Sequence, residues 1–234
     1  MFLRKYFSAS PVVARSAPFL LFVLLTVAQG KFGAASAYWF YLAKTLAGAW
    51  LIFEMWPFVT EMRWAFSWEA IAVGIGIFAA WVGISGDWAT QDSLWVKLGI
   101  SSAPKNLPAA WNPNAQFGTG SALAWLFIVT RILGSTLVVP PLEEVFYRSF
   151  LYRYIASQNF LSVPLDKFLP LPFLATACVF GFAHNEWLAG ILCGAAYQWL
   201  VLRKNRLGEA MTAHAITNFL LGVWVVWRGA WNFW

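Results

Sequence analysis

The sequence predicts an all-α protein, a polytopic transmembrane helix bundle of about eight membrane segments. Hydrophobic residues make up 60% of the 234 residues and charged residues only 11%, whereas a soluble domain carries about 25% charged residues. Stretches without formal charge recur along the chain, and several approach the roughly 20 apolar residues that a spanning helix needs. The 16 tryptophans also indicate a bilayer setting, because indole rings favour the headgroup boundary.

Each predicted membrane segment is a mostly apolar stretch. The first, residues 18–28, follows Arg4, Lys5 and Arg15 and also resembles a secretory signal peptide, with small residues at 35–37 that could serve cleavage. We expect an uncleaved first helix, because the next apolar stretch follows almost at once. The remaining predicted segments are residues 34–58, 64–85, 120–139, 141–157, 171–184, 187–203 and 208–227.

The placement of basic residues conflicts with eight complete crossings. With a cytoplasmic amino terminus, the basic cluster at residues 203–206 falls on the outer side, against the positive-inside rule. A partial or tilted segment at 141–157 or 171–184 removes the conflict, since both are short and carry polar groups. Such segments are tolerated only inside protein or along a wet cavity, so we expect a polar cavity among the C-terminal helices.

The rest of the chain indicates one membrane domain over residues 1–234, without an internal repeat. Residues 86–118 form the one long polar segment, which we interpret as a surface loop without recognisable chemistry. Gly190 and Gly194 form a small-residue face that predicts close packing of their helix against a neighbour. The net charge of +6 comes from scattered basic residues, which indicates loops anchored at the membrane and no nucleic-acid partner.

An acidic motif, Glu143-Glu144-Val-Phe-Tyr-Arg148, is the strongest functional signal, because ionisable groups at membrane depth are costly. Pro140 and Pro141 are predicted to end the preceding helix and begin the next. Both glutamates then lie in a first turn, where the helix dipole favours carboxylates. Arg148 shares a helix face with Glu144, so we expect these two to pair and Glu143 to face the cavity. The alternative is a structural carboxylate pair at an interface.

Two histidines and an asparagine supply the remaining polar groups. His184 ends an apolar segment, and His214 and Asn218 lie four residues apart, so they project together from one helix. A carboxylate and a histidine can move the proton of an attacking water, and an imidazole N–H with an amide can stabilise an oxyanion. This set needs no metal, but a zinc site of two histidines and a glutamate is an open alternative.

The order Glu-Glu-x-x-x-Arg, Phe-x-x-x-His and His-x-x-x-Asn resembles the CAAX prenyl protease and bacteriocin-processing family of intramembrane endopeptidases, also called type II CAAX or Abi proteases. The resemblance covers residues 120–227, the predicted protease core. It implies that Glu143 and His184 activate water and that His214 and Asn218 stabilise the oxyanion. Glu144 and Arg148 complete the first motif. Family members have been described as metalloproteases and as metal-independent glutamate proteases, and we expect the second, with no cofactor.

We therefore hypothesise that the chain is a multi-pass membrane endopeptidase, expected in a bacterial inner membrane. Its expected substrate is a membrane-associated peptide or protein. A prenylated carboxy terminus, a bacteriocin leader and another membrane-anchored peptide all remain open as substrates. A proton-coupled transporter would also place glutamate and histidine in the bilayer, but it often shows repeated halves. A non-catalytic scaffold with the same fold would be expected to lack at least one of the four polar groups. All four, Glu143, His184, His214 and Asn218, are present.

Overall fold

The computed structural model describes residues 2–102 and 110–234, and these residues form helices and connecting turns without a β-strand. The all-α prediction is therefore confirmed for this part of the chain. Its α-helices are, in order, α1 (Phe2–Ala9), α2 (Pro11–Ala28), α3 (Ser36–Met55), α4 (Trp68–Ile84), α5 (Gln91–Lys97), α6 (Pro113–Phe117), α7 (Ala122–Leu133), α8 (Val139–Glu144), α9 (Tyr152–Ala156), α10 (Pro170–Phe182), α11 (Trp187–Lys204) and α12 (Gly208–Arg228).

The helices group into two compact units, each assembled from separate stretches of chain. Unit 1 contains Met1–Met62, Ala110–Phe146 and Asn218–Trp234, and unit 2 contains Arg63–Ala109 and Tyr147–Thr217. The single membrane domain expected over residues 1–234 stays a prediction. Part of the long polar segment at 86–118, residues 103–109, lies outside the described residues.

Three helices in the described part of the chain are long and apolar enough to cross a membrane: Pro11–Ala28, Ala122–Ala156 and Gly208–Arg228. Two shorter apolar helices, Trp68–Ile84 and Pro170–Phe182, fall below the length of a full span. The expected count of about eight membrane segments is therefore not confirmed. The second of the long helices also joins two stretches that the sequence analysis separated.

The helix that carries the acidic motif continues through both prolines, so the predicted break at Pro140-Pro141 is wrong. Two π-helical segments, Gly134–Val138 and Val145–Leu151, flank α8. A proline removes a backbone donor and crowds the carbonyl four residues earlier. A π segment shifts the hydrogen bonds to five-residue spacing, which makes room for the prolines without ending the helix. The two glutamates therefore lie within a continuous helix, and the first-turn dipole argument does not apply to them.

Small residues let α10 and α11 pack closely within unit 2. A Cβ atom added at Gly190 would lie 2.8 Å from the Cα of Gly181, and one added at Gly194 would lie 3.1 Å from the Cα of Ala177. The first is a clash and the second a tight contact, and both involve backbone atoms, which cannot move aside without separating the helices. The predicted small-residue face is confirmed, and the close helix pair holds the short turn that contains His184.

Candidate active site

His184 lies in the turn between α10 and α11, two residues beyond the last helical residue, Phe182. Its Nδ1 is 2.8 Å from the carbonyl oxygen of Phe180. A carbonyl oxygen can only accept a hydrogen bond, so Nδ1 carries the proton in this contact. In the neutral ring Nε2 then holds the lone pair, which is the arrangement that a general base requires.

Gln91 in α5 holds the turn that contains His184. Its side-chain nitrogen donates to the carbonyl oxygens of Phe182 at 2.7 Å and His184 at 2.6 Å, and its backbone N–H donates to the carbonyl of Asn185 at 2.8 Å. The Trp81 ring packs edge-on against the imidazole at 5.5 Å between centroids. The sequence analysis missed Gln91, because its partners are backbone carbonyls, which leave no side-chain pattern in a sequence.

Arg148 is completely buried in unit 2. Its Nη2 donates to the carbonyl oxygen of Gly194 at 3.2 Å. The guanidinium carbon lies 4.5 Å from the centroid of the Phe180 ring and 5.8 Å from that of Tyr197. Arg148 thus connects the motif helix to α10 and α11 through one hydrogen bond and two cation–π contacts.

His214 rests on the same two aromatic rings. Its imidazole stacks on Tyr197 at 5.0 Å and 25°, and the Phe180 ring meets it edge-on at 6.0 Å. The Tyr197 hydroxyl donates to Thr217 Oγ1 at 2.8 Å, and Thr217 Oγ1 lies 2.9 Å from the carbonyl oxygen of Gly74. Phe180 also lies 4.7 Å from the His184 ring. Unit 2 therefore brings Arg148, His184 and His214 together around Phe180 and Tyr197.

Asn218 is oriented within unit 1 by the first π segment. Its side-chain nitrogen donates to the carbonyl oxygen of Ser135 at 2.8 Å, and Ser135 lies in the segment Gly134–Val138. An amide nitrogen carries two hydrogens, so this bond uses one of them while it fixes the direction of the group. π segments are frequent at functional sites, and here one of them provides the acceptor for a predicted site residue.

The two glutamates of the motif differ in burial. Glu144 is completely buried, whereas Glu143 is partly exposed. The division of roles expected from the sequence, in which Glu143 is the reactive carboxylate, stays a prediction. The predicted pairing of Glu144 with Arg148 and the predicted action of Glu143 with His184 each join residues of different units, and both stay predictions.

The described residues do not fit a zinc centre well. A catalytic zinc needs three protein ligands and one open position. In the part of the chain that the structure describes, no group of three His, Cys, Asp or Glu side chains could hold a metal ion. The contact of His184 Nδ1 with the Phe180 carbonyl is compatible with both versions of the site, because a histidine that ligates a metal commonly donates its other ring N–H in this way. The expected metal independence stays a prediction, with its test below.

Replacing Arg148 with alanine should lower the stability of the protein more than replacing Glu143. If Arg148 pairs with Glu144 as the sequence predicts, its removal strands a buried carboxylate, which costs about 3–5 kcal/mol. The contact with the Phe180 ring is lost as well. Thermal unfolding in detergent measures the difference. Arg148→Lys is the matched control and should recover only part of the loss, since lysine lacks the planar guanidinium. A larger loss for Glu143→Ala would show that the catalytic and structural roles are exchanged.

Replacing Gln91 with alanine should loosen the His184 turn without unfolding the helices. The substitution removes two side-chain hydrogen bonds, each worth about 0.5–1.5 kcal/mol. Amide hydrogen exchange measured by mass spectrometry should therefore become faster over residues 182–188. Gln116→Ala is the control, because Gln116 is exposed in α6 of the other unit. Unchanged exchange in Gln91→Ala would contradict the role assigned to this side chain.

Comparison with known proteins connects the three motifs to one family. The type II CAAX prenyl endopeptidase Rce1-like family matches residues 124–220, a range that contains all six predicted site residues. No curated protein matches the chain, and no solved structure matches it. The family is one of membrane peptidases, and the chain has helices able to cross a bilayer, so this is an integral membrane protein. Residues 124–220 of the chain are thus similar to the type II CAAX prenyl endopeptidase Rce1-like family, as the three motifs predicted.

Proposed function

We propose that the protein is an intramembrane endopeptidase in which Glu143 and His184 activate a water molecule. The family match supports a peptidase. The observation that carries the mechanism is the contact between His184 Nδ1 and the Phe180 carbonyl. It keeps the proton on Nδ1 and leaves the Nε2 lone pair for proton transfer, while Gln91 holds the backbone of the turn in place.

The reaction is a direct attack by water on the peptide carbonyl carbon. Glu143 and His184 take a proton from the water as its oxygen forms the new bond. The carbonyl oxygen becomes an oxyanion in the tetrahedral intermediate. When the C–N bond breaks, the stored proton passes to the amine that leaves, and the new carboxylate is released. No covalent intermediate with the protein forms, since the nucleophile is water.

His214 and Asn218 stabilise the oxyanion in this proposal. Donors at an oxyanion act best when they need no rearrangement during the reaction. The stacking of His214 on Tyr197 restricts the imidazole, and the hydrogen bond to Ser135 restricts the Asn218 amide. Glu144 and Arg148 have the supporting role. Arg148 lies over the ring of Phe180, which contacts both histidines, and near the ring of Tyr197, which contacts His214.

The substrate class that suits this chemistry is a peptide held at the membrane, of the CAAX type or another processed type. We propose a multi-pass protein of a bacterial inner membrane with its reactive groups in a polar cavity among the C-terminal helices. A cleavage screen in liposomes with prenylated and unprenylated peptides identifies the substrate. The purified Glu143→Gln variant is the negative control, because it keeps the size of the side chain and removes the carboxylate.

Substitutions at the four catalytic positions should fall into two classes. Glu143→Gln and His184→Ala should abolish cleavage, because both residues act on the attacking water. His214→Ala and Asn218→Ala should each reduce the rate by about 100- to 1000-fold, the usual loss for one oxyanion donor. The rates are measured per folded molecule, with folding checked by circular dichroism. Wild-type turnover in either purified variant of the first class would contradict the assignment.

Chelation should leave the enzyme active. Glutamate and histidine can move the protons without a metal, and the described residues offer no three-ligand group. Activity should therefore persist after exhaustive treatment with chelator, and elemental analysis should find far less than one zinc per chain. Stoichiometric zinc, with activity lost to chelator and restored by the metal, would favour the zinc-dependent version of the same protease.

A further inference from the structure

His214 lies between two threonines of α12 that bind the chain before and within α4. Thr212 Oγ1 donates to the carbonyl oxygen of Ala65 at 2.8 Å, and Thr217 Oγ1 donates to the carbonyl oxygen of Gly74 at 2.9 Å. All of these residues belong to unit 2. The two hydrogen bonds tie α12 to one neighbouring stretch of chain on both sides of His214.

Close packing of α4 on α12 brings the Gly74 carbonyl within reach of Thr217. A Cβ atom added at Gly74 would lie 2.8 Å from the carbonyl oxygen of Ala213 and 2.8 Å from the Cβ of Ile216. A side chain at this position would therefore push the two helices apart. The close approach matters because a hydrogen bond from a hydroxyl to an oxygen spans only about 3 Å.

The direction of the hydrogen bonds at Thr217 follows from its partners. Its hydroxyl has one hydrogen, and a carbonyl oxygen can only accept it. The carbonyl oxygens of Gly74 and Ala213 lie at 2.9 and 3.1 Å, so the hydrogen points toward them. The oxygen of Thr217 is then the acceptor for the Tyr197 hydroxyl at 2.8 Å. A chain of hydrogen bonds thus runs from the Tyr197 ring through Thr217 to α4.

The Tyr197 ring is the surface on which the His214 imidazole rests. The two rings stack at 5.0 Å between centroids and 25°, and the two residues are 0% and 3% exposed. The hydroxyl lies at the end of the ring farthest from the backbone, so its bond to Thr217 fixes the tilt of the ring. A different tilt would leave a buried hydroxyl without its acceptor, which is costly. The hydroxyl chain thereby limits the orientations open to the imidazole.

We propose that Tyr197 and Thr217 are positioning residues for His214: their hydrogen-bond chain to the Gly74 carbonyl fixes the ring on which the imidazole stacks and so aims the imidazole N–H. The catalytic part of this inference rests on the proposed function, in which His214 stabilises the oxyanion. A donor that is aimed in advance needs no rearrangement during the reaction. The structural part, in which two hydroxyls orient the His214 ring, is independent of any activity.

Nuclear magnetic resonance tests the structural part. The protein has two histidines, so selective ¹³C labelling of histidine rings gives two sets of signals, which the His184→Ala variant assigns. Tyr197→Phe keeps the stacked ring and removes the hydroxyl, and Thr217→Val removes its acceptor. Each should make the His214 ring more mobile, which lowers the order parameter of its C–H bonds. Thr217→Ser keeps the hydroxyl and should keep the wild-type value. An unchanged order parameter at His214 in both Tyr197→Phe and Thr217→Val would overturn the proposal.

Kinetics test the catalytic part. Tyr197→Phe should lower kcat about tenfold per folded molecule and leave KM unchanged, a smaller loss than the roughly 100-fold or more expected for His214→Ala. In the His214→Ala background the same change should have no further effect, because Tyr197 acts through the imidazole. Thr217→Val should behave as Tyr197→Phe does, and Thr217→Ser should restore the wild-type kcat.

Tyr152→Phe is the matched control for the loss of a buried hydroxyl. Tyr152 also lies in unit 2, and its hydroxyl donates to the carbonyl oxygen of Lys167 at 2.7 Å, so this variant should keep the wild-type kcat. A wild-type kcat in Tyr197→Phe, or a full further loss in the His214→Ala background, would overturn the positioning role. If the wild-type protein cleaves no peptide, the proposed function fails, and the order parameters still decide whether the two hydroxyls orient the His214 ring.

Discussion

A guanidinium group that is completely buried has to replace its lost hydration with protein groups, and Arg148 does so with the Gly194 carbonyl and the face of Phe180. Gly194 and Phe180 lie on α11 and α10, which small residues allow to approach closely. The same Phe180 ring contacts both histidines. Arg148 therefore contacts, through Phe180, the ring on which both imidazoles rest, which gives this residue of the acidic motif a structural role.

Unit 1 also holds polar side chains in apolar surroundings, namely the carboxylates of Glu143 and Glu144 and the amide of Asn218. The motif helix changes its hydrogen-bond spacing on either side of α8, which lets it pass through two prolines. The first of these π segments supplies the Ser135 carbonyl that orients Asn218, and the residues between the segments include Glu143 and the buried Glu144. Charges are rare in this chain, and two buried ones on the first helices of unit 1, Arg15 and Glu54, lie beside the opposite charges Glu61 and Arg4. Such pairing lowers the cost of ionised groups in an apolar protein.

The sequence was sufficient to predict the helical class, the family resemblance of residues 124–220 and the close packing at Gly190 and Gly194. It was misleading at Pro140-Pro141, because the rule that proline ends a helix assumes α-helical spacing throughout. The count of about eight spans is not confirmed, since apolar stretches such as Trp68–Ile84 and Pro170–Phe182 form helices of fewer than 18 residues. Gln91 could not be found from the sequence, because its side chain binds backbone carbonyls, which leave no side-chain pattern.

The central claim is that Glu143 and His184 act on the same water molecule, although they belong to different compact units. The most direct test compares residual single-turnover cleavage rates of Glu143→Gln, His184→Ala and the double variant. Catalytic groups that work as a unit give strongly non-additive losses, so the double variant should be no slower than the slower single variant. A rate for the double variant that is the product of the two separate losses would show that the residues act independently and would contradict this account.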